Sequence, residues 1–193
     1  MSSFLAEPPS SDGAQRLYAD DLAEHGFVMN LSRVWAYQPE TQEALSALMG
    51  QASADLDLRQ RGILVLATAS ALQDSYCALA WGERLAGEAG EPIAASLLRG
   101  EDEGLTPAER AMASWARQVV RDPGATTAAD VDVLREAGYS DAEVFAITTY
   151  VALRAAFATV NDALGAQPDA GLAANAPPSV AAAVTYGRPV AAP

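Results

Sequence analysis

Apolar residues in this chain fall in blocks at helical spacing, and Gly and Pro stand between the blocks rather than inside them. Alanine is abundant, β-branched runs are short, and no stretch alternates convincingly as a strand. Residues 1–13 are rich in Ser, Pro and Gly and read as a flexible arm. The pattern then predicts a helix from Gln15 to His25, opened by Ser11 or Asp12 and closed by Gly26, with Leu17, Leu22 and Ala23 on one side. Phe27 to Tyr37 reads as a short helix with Asn30 and Ser32 available as caps. Pro39 starts another, in which Ala44, Leu45, Leu48 and Met49 form a stripe that Gly50 ends.

The run Ile63-Leu64-Val65-Leu66-Ala67-Thr68-Ala69 is apolar on all sides, which suits a buried strand or a buried helix. Its flanks, Asp57-Leu58-Arg59-Gln60-Arg61 and Ser70-Ala71-Leu72, extend it at helical composition, so a central buried helix is predicted. Helices over Ser75–Glu88, stopped by Gly90, and Ile93–Leu98 follow. After an acidic linker at 99–104, Thr106, Pro107 and Glu109 supply a helix start with a reciprocal cap. Met112, Trp115, Ala116 and Val119 share one face of that helix. Thr127 opens the next, which ends at Ala137-Gly138. Ser140 and Glu143 launch a long helix from Val144 to about Leu164, with Ile147, Val151, Ala155, Ala158 and Ala163 inward and Gly165 at its end. The expectation is an all-α chain of about nine helices: one domain over 14–170, in lobes 14–99 and 105–170. The Ala/Pro-rich tail, 171–193, packs either on its own subunit or over a neighbouring one.

At 193 residues the chain can bury a sizeable core. A net charge of −13 with only 12 Lys and Arg argues against nucleic acid or an anionic membrane as partner. No segment reaches the ~18 uncharged apolar residues of a bilayer span, and the first residues lack the basic and apolar regions of a signal peptide. A single cysteine, Cys77, forms no intramolecular disulfide and suits the reducing cytoplasm. One His and one Cys make no local cluster of soft metal ligands, so neither a metal nor another cofactor is expected.

Three stretches together resemble a known family. They are HGFVMNLSRVWAYQPETQEAL, then LDLRQRGILVLATASALQDSYCALAWGERLAGEAG, then the run from GLTPAER through DVDVLREAGYSDAEV to ALGAQPD. Over residues 17–170 the chain resembles the carboxymuconolactone decarboxylase/AhpD-like superfamily, in its two-lobed, peroxidase-related branch. The resemblance implies an all-helical subunit assembling as a homo-oligomer (trimer, dimer or hexamer), and a small molecule or peroxide as substrate. Redox members use a Glu upstream of Cys-x-x-Cys-x-x-x-His. Matched to this sequence, the second cysteine is Cys77, the first falls at Asp74, the histidine at Trp81 and the glutamate at Gly62. The resemblance therefore implies the old site with altered chemistry.

A disulfide cycle needs an attacking thiolate and a second thiol to resolve the sulfenic acid. With Asp74 in place of a cysteine, only an external thiol can resolve Cys77. Asp74 fits a helix N-cap, and a helix N-terminus lowers a thiol pKa. Its carboxylate, within a turn of the sulfur, raises it. Trp81 replaces a proton carrier with an apolar wall. His25 is the other group that titrates near neutrality, and it either closes the first helix or reaches the Cys77 pocket. Tyr76 and Trp81 read as packing residues or as a substrate platform, and Glu83 and Arg84 as a solvated face. Arg154, in an apolar stretch with Tyr150 and Asn161, requires a carboxylate partner or an anionic ligand. Three functions follow: a one-cysteine redox enzyme; a decarboxylase, lyase or cyclase using Asp74 and His25; or a binding and assembly protein.

Overall fold

Caps written in the sequence set most of the helix boundaries. The computed structural model describes residues 3–192, and among them the chain is helical without a strand. Ser11 accepts from Ala14 N and opens α1 (Asp12–His25), which Gly26 closes in the left-handed conformation. α2 (Asn30–Trp35) and α3 (Pro39–Ala52) follow. Asp57 and Gln60 cap α4 (Leu58–Leu72) reciprocally, and Asp74 caps α5 (Ser75–Ala89). α6 spans Glu91–Leu98. The Thr106/Glu109 and Ser140/Glu143 pairs open α7 (Pro107–Arg121) and α9 (Asp141–Ala163) as their spacing predicts. A 3₁₀ turn (Pro123–Ala125) and α8 (Ala128–Glu136) lie between them.

The uniformly apolar run is the centre of the molecule. Ile63, Leu64, Val65, Leu66 and Ala67 of α4 are all buried, because α5, α6, α7 and α9 pack around them. Both predicted lobes thus share one core, with α4 between them. Across that core Arg59 at the start of α4 binds Glu109 at the start of α7, Nε to Oε1 at 2.5 Å.

Several expectations need correction. The described residues hold eleven α-helices rather than nine, and the two extra ones lie in the tail: α10 (Ala170–Asn175) and α11 (Pro178–Ala183). Their short Ala-rich pieces lack strong caps, so the sequence does not announce them. The tail folds onto its own subunit, with α11 against α5 and α6. Gly82 permits this, since a Cβ there would come 2.5 Å from Val180 Cγ1. The N-terminal arm is tied at Phe4, whose N–H donates to Leu164 O at 2.9 Å. Gly50 does not end α3, which continues to Ala52.

Three faces turn differently from the expected ones. On α1, Leu22 and Ala23 are exposed, and the inward row is Ala14, Leu17, Tyr18, Asp21 and His25. On α3, Met49 is buried while Ala44 and Leu48 face solvent. On α9, Ala163 is exposed, and the inward row runs Val144, Ile147, Val151, Arg154, Ala158 and Asn161. Each error comes from choosing the apolar members of a helix and leaving out polar residues at the same spacing. α9 is long and apolar enough to cross a membrane by length and composition. Here it packs against α3, α4 and α7, with Arg154 in its buried row.

Candidate functional site

α1, α2, α3, α5 and α9 converge on a cavity of about 300 Å³, and its lining includes Cys77. Asp74 begins the site. Its Oδ1 accepts from Cys77 N at 3.0 Å and so fixes the sulfur-bearing residue in the first turn of α5. Trp81 follows one turn later on the same face, and both line the cavity. Arg154 reaches in from α9, 9% exposed. Its Nη2 donates to Cys77 Sγ at 3.4 Å, and Nη1 lies 4.0 Å from Met49 Sδ. The guanidinium sits 5.4 Å from the ring centroids of both Trp81 and Phe157. Phe157 in turn stacks on Trp35 with centroids 5.4 Å apart, and Trp35 Nε1 donates to Asn161 at 2.8 Å. This second row of contacts holds the aromatic wall in place.

Cys77 is 5% exposed. Burial pushes the Cys77 thiol well above its usual range, the Asp74 carboxylate pushes it further, and Arg154 pulls it back. Burial and the carboxylate outweigh Arg154, so the resting sulfur is protonated. The carboxylate's effect was legible in the sequence; the balance was not.

His25, at the end of α1, borders the cavity beside Glu24, with Nε2 3.9 Å from Glu24 Oε1. Glu24 also binds Arg84, which lies over Trp81 at 5.4 Å. Arg84 is therefore part of the cavity rim and not simply a solvated face. Asp21 lines the cavity as well, its Oδ2 accepting from Met29 N at 2.9 Å. Burial raises the Asp21 carboxyl, and hydrogen bonds from Met29 and Ser32 oppose this.

Tyr76 lines the cavity, but its hydroxyl is engaged elsewhere. It donates to Asp169 Oδ2 and accepts from Leu31 N at 3.3 Å. Burial and then Asp169 raise the phenol well above its ordinary value. Asp169 also accepts from Asn30 N at 3.1 Å, so this trio ties α2 and α5 to the start of α10.

Two expected residues lie outside the cavity. Gly62 packs under α5, where a Cβ would come 2.8 Å from Leu85 Cδ1, so a glutamate side chain there would require Leu85 to shift. Asp74 is fully buried, and its Oδ2 has no hydrogen-bond partner. It faces the tail, which crosses the α5 N-terminus where Ser75 Oγ donates to Arg188 O at 2.8 Å. Burial raises Asp162 to about 6, with Asp74 adding to it and Arg188 opposing.

The sequence reading missed Asp21, Glu24 and Phe157. Asp21 was recoverable, because it falls on the row of Ala14, Leu17 and His25. Phe157 lies three residues after Arg154 on α9, the same turn of helix.

No protein-family profile matches the chain, and no curated protein matches it. Solved structures do. An uncharacterized peroxidase-related protein from Ralstonia eutropha JMP134, described as an alkylhydroperoxidase AhpD core, superposes with TM-score 0.78 at 23% identity over 89% of this chain and 95% of that one. A peroxidase-related protein from Silicibacter sp. TM1040 gives 0.76 at 21% identity, over 88% and 93%. A cysteine-to-alanine variant of the debrominase Bmp8, in complex with 2,3,4-tribromopyrrole, gives 0.70 at 18% identity, over 89% and 95%. The chain has the AhpD core fold.

Proposed function

We propose that this chain is an AhpD-like, peroxidase-related protein whose chemistry runs on one sulfur, Cys77, and reduces a small electrophile in the cavity. The observation that carries this reading is the contact of Arg154 Nη2 with Cys77 Sγ at 3.4 Å, both groups lining one cavity with no second cysteine in the chain. The guanidinium is placed to stabilise the thiolate when the proton leaves.

Its sulfur, once ionised, attacks the electrophilic atom of the substrate, the distal oxygen of a hydroperoxide or the halogen of an activated aromatic. A sulfur–oxygen or sulfur–halogen bond forms. The O–O or C–halogen electrons depart with the leaving fragment, which takes up one proton. An external thiol then displaces water or halide from Cys77 and leaves a mixed disulfide. A second external thiol releases Cys77 as the thiol and departs as the external disulfide. Debromination by a protein of the same fold supports including aryl halides. Because the resting sulfur is protonated, turnover at neutral pH is slow and rises with pH.

Treatment of the native protein with hydrogen peroxide and dimedone should label Cys77 as the sulfenic acid, read by peptide mass spectrometry. A Cys77 that stays unmodified by peroxide and by iodoacetamide in the folded protein ends this reading. The presence of Asp21 and His25 in the same lining favours a second one, acid–base decarboxylation or lysis. It requires Cys77→Ala to retain turnover and His25→Ala to lose it. Homo-oligomerisation belongs to the proposal too, supported by exposed Leu22, Leu48 and Phe145; a monomer mass by light scattering removes it.

A further inference from the structure

Arg154 is a buried cation without a counter-charge. None of the ion pairs among the described residues includes it. Its Nε has no hydrogen-bond partner, and its hydrogen bonds and cation–π contacts go to two sulfurs and two ring faces. A guanidinium is a permanent cation, and sheltering it without an anion is costly unless something compensates it. Cys77 does not supply the charge at rest. The residue nevertheless lines an open cavity, where a ligand could.

We propose that this cavity binds a small planar monoanion: a single aromatic or heteroaromatic ring bearing one carboxylate, or one ionised hydroxyl or N–H, with its charge on Arg154 and its ring against Trp81 and Phe157. The volume, about 300 Å³, sits at the small end of ligand pockets and suits one ring. Two coplanar donors on a guanidinium match a carboxylate, and aromatic walls match a ring. The acidic residues of the lining set the charge limit. Glu24 is matched by Arg84, and Asp21 is held by Met29 N, so neither neutralises Arg154. Their field still opposes a second negative group on the ligand.

Naming this anion the substrate rests on the one-sulfur reading above; its binding does not. Calorimetric titration of the full chain with benzoate and pyrrole-2-carboxylate, and with the neutral benzamide and pyrrole-2-carboxamide, separates the two. The acids should bind at least tenfold tighter than their amides, and phthalate should bind more weakly than benzoate. Arg154→Gln should abolish the preference for acid over amide, Arg154→Lys should keep part of it, and Cys77→Ala should keep all of it. Equal binding of acid and amide by the wild-type chain overturns the proposal. So do full benzoate affinity in folded Arg154→Gln and no binding of either acid. Should Arg154→Gln fail to fold by circular dichroism, the acid–amide pair on the wild-type chain still decides. If benzoate binds as described while Cys77 proves inert to peroxide, the anion site stands and the redox reading alone falls.

Discussion

Two arginines lie inside this protein at similar depth, Arg117 at 7% exposure on α7 and Arg154 at 9% on α9, and their surroundings are opposite. Arg117 donates to Asp102 Oδ1 at 2.8 Å and to Glu101 O at 3.2 Å, which fastens the acidic linker between the lobes. Arg154 meets aromatic faces, two sulfurs and a cavity. Both leave Nε without a partner, so an unpaired atom does not separate them. What separates them is the missing carboxylate together with the space in front of the guanidinium. Burial against a carboxylate suits a structural role; burial without one, beside a cavity, supports the anion site proposed above.

The largest test of that contrast is stability. Arg117→Met leaves Asp102 without its partner and should lower the unfolding free energy by about 3 kcal/mol, the low end of the range for a broken buried pair because Asp102 keeps some solvent. Arg154→Met removes a cation that nothing matches and fills its place with a similar apolar volume. Its stability should stay within about 1 kcal/mol of wild type, or rise. Urea unfolding of both variants reads the difference. Equal losses would make Arg154 a structural residue and remove the contrast.

How much of this was legible beforehand depends on the helix. α7 announced its start and most of its inner face: Thr106 and Glu109 mark the start, and Met112, Trp115 and Ala116 are buried, while Val119 is only half-buried and the buried Arg117 was not foreseen. The requirement that Arg154 find either a carboxylate or an anionic ligand was also readable, because a charge in an apolar helix row needs one or the other. The absence of a carboxylate partner among the described residues was not readable, since it depends on tertiary neighbours from α3 and α5. α1 misled because its inward row is half polar. Leu22 and Ala23 look like core, yet Asp21 and His25 occupy the inner face since the space there is a cavity, not packed core. Gly62 was singled out as a lost functional group, and its position against Leu85 makes it a helix-crossing residue. The tail helices were illegible because packing of α11 on α6 and of α10 on α5, rather than caps, holds them.

A middle-sized effect concerns the sulfur between these groups. Arg154→Gln removes the cation that lowers the Cys77 thiol and should slow iodoacetamide alkylation at pH 7.5 by about tenfold, moving the pH–rate midpoint upward. Asp74→Asn keeps an N-cap side chain and removes a charge that raises the thiol, so alkylation should speed up and the midpoint move downward. Opposite movements in the two variants support a sulfur tuned by both neighbours. Movement in the same direction would mean that solvent access, not charge, controls its reactivity.

The smallest effect uses a third arginine as a reference. Arg59 binds Glu109 through Nε–Oε1 at 2.5 Å and Nη2–Oε2 at 3.2 Å, at a partly solvated site. The Arg59 bond holds the Glu109 carboxyl down at about 2; burial opposes it, and Thr106 assists through its N–H and hydroxyl. A depressed carboxyl stabilises the fold above its unfolded value of 4.5 and loses that contribution as pH falls toward about 2. Glu109→Gln preserves a cap acceptor for Thr106 N but gives up the charge, so it should lower stability at pH 7. It should also flatten the stability–pH curve between those two values. Arg154→Gln, which disturbs no carboxylate pair, should leave the slope in that window unchanged. Acid titration of urea midpoints for the two variants checks this directly. A flattened curve in Arg154→Gln would reveal a carboxylate partner for Arg154 and return it to the company of Arg59 and Arg117.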